Sequence, residues 1–99
     1  RQGQARNLML PVIWSRRARH DLGVILEFIR RRSPSGAARI NILIKTSVEK
    51  LPAYPHLHRE GREPGTREAV VHPNYIYIYA VHADSIHILR VLHSRQHYP

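Results

Sequence analysis

The run Tyr75-Ile76-Tyr77-Ile78-Tyr79-Ala80-Val81 limits the fold more than any other part of the chain. Aromatic and β-branched residues favour a strand, and along a strand alternate side chains point to opposite faces. Tyr75, Tyr77, Tyr79 and Val81 therefore share one face, and Ile76, Ile78 and Ala80 share the other. A strand apolar on both sides suits the centre of a sheet, with helices over one side and a semi-exposed aromatic surface on the other.

Its neighbours in sequence supply the rest of such a sheet. Thr66 to Val71 and Ile86 to Leu92 are also β-prone, and the turns His72-Pro73-Asn74 and His82-Ala83-Asp84-Ser85 are short enough for antiparallel hairpins. Near the other end, Leu10 to Trp14 reads as a first strand, with Pro11 tolerable only at an edge or a strand start. Ser15 is a suitable N-cap, and Ala18, Leu22, Ile25 and Ile29 follow at helical spacing, which predicts a helix over about residues 16–32. Ser33-Pro34-Ser35-Gly36 breaks it, and Ala37, Ile40, Ile44, Val48 and Leu51 form a second apolar stripe. Residues 52–65, with Pro52, Pro55, Pro64, Gly61 and Gly65, have loop composition. The expected fold is α+β: an N-terminal strand and a two-helix hairpin packed on one face of a mainly antiparallel sheet of about four strands.

A chain of 99 residues fits one domain with a thin core. Residues 1–8 are polar and basic without an apolar signal core, and Met9-Leu10-Pro11-Val12 reads as a natural start, so 1–8 is expected to be a tail, a cloning remnant or an upstream extension, and 9–99 the domain. The absence of cysteine excludes disulfide scaffolds, thiolate zinc sites and cysteine nucleophiles, and is compatible with a cytoplasmic location. No segment approaches the length of a membrane span, so no membrane partner is expected. Sixteen Lys and Arg against seven Asp and Glu give a net charge of +9, which implies a polyanion or an acidic protein as partner.

Three segments together resemble the RelE/ParE superfamily of toxins from bacterial type II toxin-antitoxin systems. They are Trp14-Ser15-Arg16-Arg17-Ala18 with Asp21-Leu22 and Ile25, then Gly65-Thr66-Arg67-Glu68-Ala69-Val70-Val71 leading into His72-Pro73-Asn74-Tyr75, and finally Ile88 to Gln96. The likeness spans Met9 to Pro99 and is closest to the ParE-like branch, which includes toxins that begin Met-Leu-Pro-Val and carry His-Pro-Asn-Tyr. It implies a toxin silenced by a cognate acidic antitoxin. It also implies one of two targets: DNA gyrase, which ParE members poison without nuclease activity, or mRNA on the ribosome, which RelE-like members cut.

RNA cleavage needs a base, cations for the charged transition state and an acid for the leaving oxygen. Arg67, Arg90, His93, Arg95 and Tyr98 supply those residue types and are the candidates for the working surface, with Arg67 joining the C-terminal set if register puts them on one face. RelE-like nucleases, however, usually carry a basic residue directly after the aromatic that opens the middle strand, and here that residue is Ile76. The resemblance therefore favours a binding inhibitor over an enzyme. A strand position between Leu89 and Val91 would put Arg90 on one face with Ile88 and Leu92, where its charge needs a partner. Arg16, Arg19, Arg30, Arg31 and Arg32 are the candidates for antitoxin binding, against the alternative of a solvated helix face. Neighbouring histidines such as His56 and His58, or His93 and His97, lack four-ligand spacing, so neither a metal nor another cofactor is expected. The tyrosine stripe could stack bases, as in a plain nucleic-acid-binding module, or simply pack the sheet.

Overall fold

The computed structural model describes residues 9–98; the expected tail at residues 1–8 lies outside them. The elements in order are β1 (Val12–Trp14), α1 (Arg16–Arg30), α2 (Pro34–Glu49), β2 (Arg59–Glu60), β3 (Arg67–His72), β4 (Tyr75–Val81) and β5 (Ile86–His93). One five-stranded sheet has the order β1-β5-β4-β3-β2, so the aromatic strand β4 is central. Its pairings are antiparallel except that of β1, which runs parallel to β5 with Val12 opposite Ile86. The helical hairpin carries the chain from β1 past the sheet to the opposite edge, and three hairpins bring it back.

Local chemistry sets the helix limits. The Ser15 hydroxyl accepts the Ala18 amide at 2.9 Å and caps α1. The helix stops at Arg30, two residues short of the expected end, and Arg31 forms its C-cap. Ser33 caps α2 through the Gly36 amide at 2.9 Å, with Pro34 in the first turn where its missing N–H costs nothing. The segment expected to be a break is thus the start of α2.

The main core lies between the helical hairpin and the sheet. Ala18, Leu22, Ile40, Ile44 and Val48 from the helices meet Tyr75, Tyr77, Tyr79, Ile86, Ile88 and Val91 from the strands. This corrects the expectation that the tyrosine face is the semi-exposed one: Tyr77 and Tyr79 are 0% exposed beneath the helices. Burial is tolerated because each phenol finds a partner, Tyr77 with the Ser47 hydroxyl and Tyr79 with the Pro55 carbonyl, both at 2.8 Å. Desolvation raises the Tyr77 pKa to about 12 although the Ser47 bond lowers it. Base stacking on this stripe is thereby excluded. The opposite face carries Ile76, Ile78 and Leu92, with Leu89 and Tyr98 packed on them.

Two features departed from the expected strands. Arg59 and Glu60, inside the expected loop, pair with Glu68 and Arg67 as a fifth strand. In β5 the register shifts so that Ile78 faces Arg90 but Tyr79 faces Ile88, leaving Leu89 as the extra residue of a bulge. The bulge resets the alternation. Ile88 belongs to the helix-side core and Leu92 to the far side, so of the two residues expected to share a face with Arg90 only Leu92 does.

Candidate functional site

The C-terminal half of β5 outruns β1. Pairing with β1 ends at Ile88, and beyond that point the strand would present open backbone groups. Residues at the start of α1 cover them instead. The Ser15 amide donates to the Ile88 carbonyl at 2.9 Å and its hydroxyl to the Leu89 carbonyl at 3.1 Å. Asp21, nearly two turns further, accepts the Val91 amide at 3.0 Å and the Arg90 guanidinium at 2.8 and 3.4 Å. Arg90 therefore has the partner that its position required. Asp21 was named in the sequence for its resemblance and not for this contact, which follows from β1 being only three residues long.

Register separates Arg67 from Arg90. Arg67 lies opposite Tyr79, on the helix-side face, whereas Arg90 lies opposite Ile78, on the far face. The Arg67 guanidinium donates to the carbonyls of His56 at 3.2 Å and His58 at 2.7 Å, fastening the segment after α2 over the sheet. Glu68, the next residue, points the other way from Arg67, as adjacent strand residues do, and takes Arg59 at 3.0 Å and Arg62 at 3.6 Å. The His58 ring stands edge-on to Tyr77 and Tyr79, and burial lowers its pKa.

The remaining candidates divide between two places. His93 lies opposite Tyr75, packs edge-on against its ring, and accepts the Arg95 amide on Nδ1 at 3.1 Å. The Arg95 side chain is exposed. Tyr98 lies across the far face, where its hydroxyl donates to Glu63 at 3.1 Å and its carbonyl accepts Arg62 at 2.7 Å. Desolvation first, and then the Glu63 carboxylate, raise the Tyr98 pKa. Sequence reasoning missed the group Arg59, Arg62, Glu63 and Glu68 around this tail. Glu68 is 4% exposed with one carboxylate oxygen lacking a hydrogen bond, and its position next to Arg67 in a strand was the only signal available.

On the helical hairpin, Arg16 and Arg19 are exposed. Arg30 and Arg31 pair with Glu27 at 2.6 and 3.5 Å, and the Arg32 guanidinium sits 4.9 Å above the Phe28 ring. No three His, Cys, Asp or Glu side chains among the described residues are grouped to hold a metal ion, and no described helix is long and apolar enough to cross a membrane.

Comparison with known proteins agrees with this architecture. Residues 12–98 match the family model of the ParE toxin of the type II toxin-antitoxin system, parDE. Toxin RelE2 of Caulobacter vibrioides is 36% identical over 86 residues, covering 87% of this chain and 97% of that protein. A putative toxin, Y4kP, of Sinorhizobium fredii is 38% identical over 87 residues, covering 87% and 90%. A solved structure of a chromosomal ParDE toxin-antitoxin system from P. aeruginosa superposes with a TM-score of 0.76 at 25% identity, covering 86% of this chain and 96% of that one. With the family model, the two relatives and the shared fold in agreement, the chain belongs to the ParE toxin family, within the RelE/ParE superfamily of type II toxin-antitoxin toxins.

Proposed function

We propose that this toxin arrests growth by binding a DNA topoisomerase of the gyrase type, and that a cognate acidic antitoxin silences it. The observation that carries the choice of target is the state of the candidate residues. Arg90 is held by Asp21, Arg67 by two backbone carbonyls on the other face, and Tyr98 by Glu63. A nuclease needs a base, an acid and cations converging on one phosphate. Here the strand position where RelE-like nucleases carry a cation is Ile76, buried under Leu89 and Tyr98. A protein-binding surface needs no such convergence; it needs rigid anchors of mixed apolar and cationic character.

The working surface in this reading is the end of β5 and the tail after it, with Arg90, His93, Arg95 and Tyr98. Arg67 serves it at a distance by fixing the loop before β2. A supercoiling assay with purified gyrase, run beside an mRNA cleavage assay on translating ribosomes, decides the target. Inhibited supercoiling with intact mRNA is expected; mRNA cut at codon boundaries would reverse the assignment. Arg95→Ala should abolish inhibition while leaving folding and antitoxin binding unchanged, because its side chain is exposed.

A further inference from the structure

The loop between α2 and β2 is held by its backbone and bare in two of its side chains. Tyr79 donates its phenol to the Pro55 carbonyl at 2.8 Å, and Arg67 donates to the carbonyls of His56 at 3.2 Å and His58 at 2.7 Å. At one end Leu51 is 1% exposed, and at the other the His58 ring stands edge-on to Tyr77 and Tyr79. Within the loop, the Tyr54 amide donates to the Leu51 carbonyl at 3.0 Å and the Leu57 amide to the Tyr54 carbonyl at 3.2 Å. The backbone is thus fixed at both ends and from beneath. Tyr54 and Leu57 are nevertheless 63% and 69% exposed, and neither packs into the core on either side of the sheet. Large apolar side chains kept in water on a rigid support have the form of interface anchors, because they offer apolar area with little left to order on binding.

We infer that Tyr54 and Leu57 insert into an apolar pocket of the target topoisomerase, and that Arg67 and Tyr79 position them through the loop carbonyls. The inference rests on the reading of this toxin as a binder of that target, and adds a second contact to it. Charge selects the occupant. The charged residues that flank the loop in sequence are Glu49, Lys50, Arg59 and Glu60, all exposed, so two cations are balanced by two carboxylates. Arg59 is moreover paired with Glu68. A nucleic acid requires a basic surface, and so does an acidic antitoxin segment; neither matches an apolar knob in a neutral rim. A second copy would bring another net charge of +9 against the first. A convex, rigid, apolar loop fits a preformed pocket in a folded protein, and in this reading that protein is the target.

The test is a supercoiling assay in which purified gyrase is titrated with the chain carrying Tyr54→Ser and Leu57→Ser, beside a thermal melt and calorimetric titration with the antitoxin encoded next to it. The concentration for half-inhibition should rise by roughly tenfold or more, as expected when two anchors are removed. Melting temperature and antitoxin affinity should match those of the parent, because both side chains stand in solvent. Tyr54→Phe with Leu57→Met should restore most of the lost potency. Arg67→Met frees the two histidine carbonyls and leaves both anchors in place, so it should lose potency by a smaller factor than the serine pair. Undiminished potency in the serine pair overturns the inference, and undiminished potency in Arg67→Met overturns the positioning role. A lowered melting temperature in the serine pair also overturns it, since the side chains would then serve the chain's own fold. Weakened antitoxin binding, or a parent dimer that the serine pair splits, would name a different occupant and overturn it as well. If the parent chain leaves supercoiling untouched, it is the choice of target that fails, and the anchors fall with it.

Discussion

The carboxylate of Asp21 accepts hydrogen bonds from both the Arg90 fork and the Val91 amide, so the two ends of the ion pair are not equivalent. The Arg90 and Asp21 side chains are 19% and 12% exposed, and residual solvent screens part of their attraction. Arg90→Ala should therefore cost about 1 kcal/mol, while Asp21→Ala, which also strips the Val91 amide and strands a guanidinium, should cost about 2–3 kcal/mol. Urea melts of the two variants check this; equal losses would mean that the amide bond contributes nothing. The need of Arg90 for a partner was legible from its apolar flanks, but the partner was not, because Asp21 reaches β5 only where the short β1 stops. A second residue-scale expectation concerns His58, whose burial favours the neutral ring. As pH falls below about 6.5 the unfolded chain takes the proton first, so this contribution is present above that pH and is lost on acidification toward the lowered folded value. His58→Phe should accordingly lose less melting temperature than the parent between about pH 7 and pH 5.

Among the elements, the turn joining β2 to β3 is closed by side-chain as well as backbone hydrogen bonds. The Gly61 amide donates to the Thr66 carbonyl at 2.7 Å, the Thr66 hydroxyl donates to the Glu63 carbonyl, also at 2.7 Å, and Gly65 has a φ of 82°, in the left-handed region. A Cβ at Gly61 would fall 2.2 Å from the Thr66 hydroxyl oxygen, so Gly61→Ala must push the hairpin open, at a cost of about 1–3 kcal/mol. Adding Thr66→Ala should recover part of that loss in thermal melts, and strictly additive losses would count against the contact. The helices and the three long strands were legible because each has a clear period, 3.6 residues or 2, over several repeats. Strand β2 was not, since two residues cannot display a period and its pairing is fixed by the turn after it. Alternation alone also misled at β5, where one bulge residue separates the faces of Ile88 and Leu92. For β4 the pattern identified two apolar faces but not which one the helices cover. That choice depends on hydroxyl partners, Ser47 and Pro55, that lie 30 and 24 residues away.

At the scale of the molecule, a surplus of nine positive charges acts on a small core. Self-repulsion of this kind weakens with ionic strength, so the melting temperature of the isolated toxin should rise with added salt. Antitoxin should raise it further by binding only the folded state, and a melting temperature indifferent to salt would show that the charges are locally compensated. The pairing of β1 with β5 has another consequence. Val12 meets Ile86, and Asp21 meets Arg90, so the first strand and first helix are completed only by the last strand. During synthesis a chain enters the cell from its N-terminal end, and β1 has no neighbour until β5, the last described strand, has been translated. An interrupted message would therefore yield a product that cannot close its sheet. A chain released before β5 is made lacks the strand that β1, α1 and β4 all pack against.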